Sequence, residues 1–403
     1  MRRAVVAAAL GGGLAGAGIG FVAGREPSPR RVAATAAAET VARLDAGMPP
    51  PLAELPAESP RGPSLFHVPQ GAEPELSKSE LAAGAALRGC LAAPDAASCT
   101  TAARRLADTG GDQIWGNDWP ALRWAAAYLA AGPEEQAALR EGDGGRFVAL
   151  LGEDGWLPLR TWTAGRFGFK DELKRLLARA APAASSEGGG GEGKHYRHLG
   201  ELVRAANPAR AQWERIDEGM AWLAFRPGEA VAVPGARTGW LALRVADAVG
   251  EGGKVYATDP DGRMVAVLER FVAEEGRENV VVEGRDRASL ELPDDAVDTV
   301  VMDGTFAAVY GSLRREERAD FYAGLVRALR PGGRLVVIEN TPEDELPPGV
   351  PPAYGAAISS SLVVAQLESR GFTLRDRRVF VPQRYLLVFT SPKVAPASSG
   401  GDR

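Results

Sequence analysis

The sequence predicts an α/β fold: a doubly wound, mostly parallel sheet of seven strands, preceded by a small α-helical domain. Three observations predict it. From about residue 229 to residue 389, short runs of Val, Ala and Leu alternate with helical patterns, as in a parallel sheet with helical crossovers. From residue 76 to residue 181 the apolar residues instead recur at spacings of three and four, the helical period. A Gly/Ser-rich stretch at 182–194 separates the two textures and reads as a flexible linker.

The chain has 403 residues, of which 25% are charged and 45% hydrophobic, with a formal charge of −5. These are globular values. The acidic balance argues against a broad basic nucleic-acid surface, so no nucleic acid is expected as partner. Met1-Arg2-Arg3 precedes an uncharged run, residues 4–24, with Gly12, Gly16, Gly20 and Gly24 at helical-turn spacing. Three readings stand: a cleaved signal peptide, a retained membrane anchor of about the length that spans a bilayer, or an ordinary N-terminus. The first two make the protein exported, periplasmic or membrane-anchored. Residues 25–75 are rich in Pro and Ala and read as an extended linker.

Within the helical domain, 76–181, helices are expected over 77–91, 100–106, 119–131, 133–140 and 170–180. Trp115, Trp119, Trp124, Trp156 and Trp162 cluster there, as core or as a ligand groove. Cys90 and Cys99 flank the turn Ala92-Ala93-Pro94-Asp95. They form either a disulfide across a helical hairpin, in keeping with an oxidising compartment, or a pair of buried thiols. No metal site is expected from two cysteines with no His nearby.

The third region, 195–390, opens its sheet with Glu229–Val233, followed by the turn Pro234-Gly235-Ala236-Arg237-Thr238-Gly239 and a helix from Trp240. Further strands are expected at 254–258, 279–282, 297–302 and 334–339, and a closing hairpin at 373–381 and 384–389. The tail 391–403 reads as flexible. In such a sheet the ligand binds beyond the C-terminal strand ends, at the switch point. Two features there carry chemistry. The Gly-containing turn lets a ligand approach the backbone at a helix N-terminus. Asp259, 20 residues past Gly239, stands where an acid holds ribose hydroxyls.

Residues 213–389 resemble the class I S-adenosylmethionine-dependent methyltransferases, with a Rossmann-like fold. The resemblance is carried by Glu229–Trp240, by Val255–Asp259 and by Leu329–Glu339 with its Pro-Gly-Gly turn. The nearest flavour is the exported methyltransferases of bacteria, which share a leader and a Trp-containing helix, here Arg210–Asp217. The resemblance implies S-adenosylmethionine as cofactor and an acceptor the sequence does not name. It places Gly235, Ala236, Arg237 and Gly239 by the cofactor's methionine part and Asp259 with Pro260 at the ribose. Asp286 falls by the adenine. Asp303 and Gly304 face the methyl group, with Asp303 as the catalytic candidate. The Pro- and Ser-rich segment 341–361 reads as a lid or as a passive loop.

Three positions depart from the family pattern. Val233 stands where an acid is usual, Arg237 where the middle glycine is usual, and Ala307-Ala308 where the exported relatives carry a His pair. Two readings follow: an active methyltransferase working largely by positioning, or a non-catalytic binding or regulatory module with a degenerate cofactor pocket. A nicotinamide-dependent reductase is disfavoured because the turn lacks the GxGxxG spacing. His195 and His198 are read as solvated residues at a helix start or as a cap over the site.

Overall fold

The computed structural model describes residues 76–109, 118–180, 192–286, 289–353 and 355–393. The leader, the Pro/Ala-rich linker, Trp115, most of the Gly-rich linker and residues 394–403 lie outside the described residues.

The N-terminal region is helical: α1 (Lys78–Ala92), α2 (Ala96–Asp108), α3 (Trp119–Ala130), α4 (Pro133–Leu139), α5 (Asp143–Leu151), α6 (Glu153–Arg166) and α7 (Lys170–Ala180). Ser77 and Glu80 form a reciprocal capping box at the start of α1, and Asp95 caps α2. A disulfide joins Cys90 to Cys99 across this hairpin, with Cα atoms 4.7 Å apart. Helices α5 and α6 had no clear sequence signal, because Gly144-Gly145 and Pro158 break the helical pattern. Chain geometry at Asp154–Trp156 is correspondingly left-handed. Trp119, Trp156 and Trp162 are buried and the Trp124 ring packs edge-on against Phe147, so the described tryptophans build a core.

Helix α8 (Glu192–Ala205) begins inside the stretch read as linker. Helices α9 (Arg210–Glu214) and α10 (Ile216–Leu223) follow, divided by left-handed Arg215. The sheet then runs β1 (Ala230–Pro234), α11 (Trp240–Val249), β2 (Lys254–Asp259), α12 (Gly262–Glu274), β3 (Val280–Gly284), β4 (Val297–Asp303), α13 (Thr305–Ser312), α14 (Arg315–Ala328), β5 (Leu329–Asn340), α15 (Ser360–Glu368), β6 (Thr373–Val381) and β7 (Arg384–Thr390). Strand order is β3-β2-β1-β4-β5-β7-β6. All pairs are parallel except those made by β7. The expected fold class is therefore observed: a seven-stranded, mostly parallel sheet preceded by a helical region.

Alternating side chains divide the core into two layers. Val231 and Val233 pack under α11 and α12, whereas Ala232 and Met302 pack under α13 and α14. The first layer is continuous with the core of the helical region. Asp143 of α5 accepts a hydrogen bond from the Trp240 indole at 3.2 Å and pairs with Arg244. Arg146 grips Glu275 through two bonds of 2.6 and 2.8 Å. The start of the presumed tail is tied down: the Ser391 N–H donates to the Gly333 carbonyl at 2.8 Å.

Candidate cofactor cavity

The C-terminal ends of β1, β2 and β4 open into a cavity of about 640 Å³. Helices α8 and α9 close it from above, contributing His198, Arg210 and Trp213, and Gly355 and Ala356 of the segment after β5 reach its edge. That segment is held there by the Asn340 amide, which donates to the Ala356 carbonyl at 3.0 Å.

The turn after β1 places Gly235 and Arg237 on the cavity wall. Gly235 has φ +73, and a Cβ there would stand 2.5 Å from the Thr305 hydroxyl oxygen. Gly239 and Ala236 do not line the cavity; both were expected beside the cofactor. Ala236 is buried. Gly239 ends the turn at φ +83, where a Cβ would run into Leu268 at 2.2 Å. Its glycine serves the fit of α11 against α12.

Asp259 ends β2 at the wall. Its carboxylate accepts the Arg237 and Asp261 main-chain N–H groups, each at 2.8 Å. Burial pushes its proton affinity above the usual carboxylate range, against those two bonds. Two acceptor lone pairs of the carboxylate remain uncommitted by these bonds. Pro260 and the exposed Asp286 continue the same wall.

Asp303 and Gly304 lie at the opposite side, after β4. The structure does not support Asp303 as a general base. Both its oxygens are engaged, one by Arg210 at 3.0 Å and one by Arg384. Glu214 bonds the same two arginines, Arg210 at 2.7 Å. The four side chains form a closed ring of alternating charge that ties α9 to β4 and β7. Although burial acts to raise it, the Arg384 and Arg210 charges hold the Asp303 carboxyl well below the usual range. A carboxylate so held is a poor proton acceptor. Arg384 was invisible as a site residue in the sequence, because β7 lies 81 residues beyond Asp303. Glu339, fully buried on β5, accepts the Ala307 N–H at 3.0 Å. Burial pushes its carboxyl up to about 8.

His198 is buried and lines the cavity, which corrects the expectation of a solvated residue; the His195 side chain lies outside the described residues. His198, Glu201 and Asp261 each bring one ligand atom within 4.8 Å of the others, a trio the sequence reading missed. Asp261 is already bound by Arg263 at 2.6 Å and caps α12.

The cavity fits an adenosyl cofactor on two observations: the Asp259 carboxylate is aligned at its wall, and the Trp213 indole nitrogen is buried there with no hydrogen-bond partner among the described residues. Sheet order, the β1 turn and the strand-end acid define a Rossmann-like methyltransferase fold. Residues 231–333 match the family described as "Methyltransferase domain". Among solved structures, the chain is similar to a SAM-dependent methyltransferase from Aquifex aeolicus at 25% identity, over 46% of this chain and 93% of that one, TM-score 0.40. It is similar to a SAM-dependent methyltransferase from Methanosarcina mazei at 15% identity, over 44% and 98%, TM-score 0.35. It is also similar to the cyclase SpnF at 19% identity, over 47% and 84%, TM-score 0.38. No curated protein matches the chain.

Proposed function

We propose that the chain is an S-adenosylmethionine-dependent methyltransferase. The single observation that carries this reading is Asp259: a carboxylate aligned by two main-chain N–H groups on the wall of a cavity that the methyltransferase-domain match lines in part. Bound there, S-adenosylmethionine supplies an electrophilic methyl group. Asp259 accepts the ribose hydroxyls. Pro260 and Asp286 bound the adenine side. Gly304 leaves room at the end of β4. The ring around Asp303 fixes α9 and β7 as rigid walls, so acceptor and donor are held in line by position. No base acts at Asp303, and the acceptor brings its own nucleophile.

The alternative of a decayed pocket rests on Val233, Arg237 and Ala307-Ala308 together, and of these Arg237 is the one on the cavity wall with a side chain large enough to block it. A cavity of about 640 Å³ remains with that arginine in place, which favours the enzyme. Titration calorimetry of the full chain with S-adenosylhomocysteine tests the reading. Micromolar binding that disappears in Asp259→Ala is expected. No binding by the wild-type chain would overturn it.

A further inference from the structure

Arg237 occupies a backbone position that disfavours it. Its φ is +51, a left-handed conformation that strains an ordinary L-residue and that glycine adopts freely. The conformation aims its N–H at Asp259 while the side chain is exposed within the cavity. The side chain reaches from the β1 turn to the β4 turn: Nη2 lies 3.8 Å from where a Cβ would stand on Gly304.

The guanidinium makes no ion pair or hydrogen bond among the described residues. Neither neighbouring acid bonds the guanidinium. Asp259 accepts two main-chain N–H groups, and both oxygens of Asp303 belong to Arg210 and Arg384. A cation has thus been placed in a cavity whose own acids do not contact it. Its planar fork matches a carboxylate. It lies between the Asp259 end and the Asp303 end of the cavity.

We propose that Arg237 is a carboxylate gate, the residue that makes this cavity accept ligands bearing an amino-acid carboxylate and reject those without one. When a carboxylate arrives, the guanidinium pairs with it. When none arrives, the guanidinium fills the space that the arm would occupy. The inference rests on the cofactor reading above.

The test compares two probes on the full chain by calorimetry: S-adenosylhomocysteine, and 5′-methylthioadenosine, which keeps the adenosyl thioether and lacks the amino-acid arm. The wild-type chain is expected to prefer the first by about 10- to 100-fold. Arg237→Gly, which relaxes the backbone, is expected to weaken S-adenosylhomocysteine and strengthen methylthioadenosine, so that the preference collapses. Arg237→Lys retains part of it. A preference that survives intact in Arg237→Gly overturns the gate, as does equal affinity of the wild-type chain for both probes. Binding that appears only in Arg237→Gly marks a plug and also overturns it. Failure of the wild-type chain and of Arg237→Gly to bind either probe overturns the cofactor reading itself.

Discussion

Asp259 and Asp303 end two parallel strands of one sheet with only β1 between them, and their surroundings are opposite. Main-chain N–H groups align Asp259, and burial raises its proton affinity. Two guanidinium groups hold Asp303, and its proton affinity falls. Main-chain donors orient a carboxylate without consuming its capacity to accept from a ligand. Two arginine charges in contact instead neutralise the carboxylate and lower its affinity for a proton. The first acid is therefore fitted to bind, and the second to hold three elements together.

Breaking the Asp303 side has the largest expected effect. Arg384→Met leaves Asp303 and Glu214 each short of a partner in a partly buried ring, and is expected to cost about 3–5 kcal/mol of stability. Adding Asp303→Asn should recover much of that loss in urea unfolding. A double variant no more stable than the single one would count against the ring. Breaking the Asp259 side should act differently. Asp259→Asn is expected to reduce S-adenosylhomocysteine affinity by at least tenfold with a smaller change in unfolding midpoint. Equal losses in both measurements would erase the contrast.

A change far from both acids calibrates these figures. Replacing Cys90 and Cys99 with Ser is expected to lower stability by about 2–3 kcal/mol and to leave ligand affinity unchanged. A fall in affinity would show that the helical region shapes the cavity through its contacts with α11.

Glu339 sharpens the comparison through pH. Its carboxyl is pushed up to about 8 by burial, so the folded chain keeps a proton that the unfolded chain loses above its ordinary value near 4.5. This group's contribution to stability therefore falls as pH rises from about 4.5 toward 8, by at most about 1.4 kcal/mol per pH unit. Asp303 has the opposite sign: its contribution is present above the usual carboxylate range and is lost as pH drops below it. Glu339→Gln should gain on the wild type steadily between pH 5 and pH 8. A constant difference across that window would refute the buried proton. The smallest expected effect is at Arg237. Relief of left-handed strain in Arg237→Gly is partly offset by glycine's backbone entropy, leaving a gain of about 0.5–1 kcal/mol by thermal unfolding.

Much of the fold was legible because its signals are local. Val231 and Val233 form a short apolar run and Asp259 follows a β-branched strand, whereas the Asp95 cap starts α2 at Ala96, four residues before the expected start at 100. Helices α5 and α6 were not legible, because Gly144-Gly145 and Pro158 oppose the helical pattern and packing overrides them. Of the expected site residues, Gly235, Arg237, Asp259, Pro260, Asp286, Asp303 and Gly304 come together around one cavity, while Gly239 and Ala236 turn to the protein interior.

The sequence by itself determined the α/β class, the seven strands and the place of Asp259 at the end of the second strand, because strand period and turn chemistry act over a few residues. Only the tertiary structure decided what each acid does. It brought Arg210 and Arg384 to Asp303 from opposite ends of the domain, buried Glu339 beneath α13 and left the Arg237 guanidinium with no hydrogen bond or ion pair among the described residues. A carboxylate's role is set by the charges and donors within a few ångströms, and those neighbours are assembled by folding across long separations in the chain.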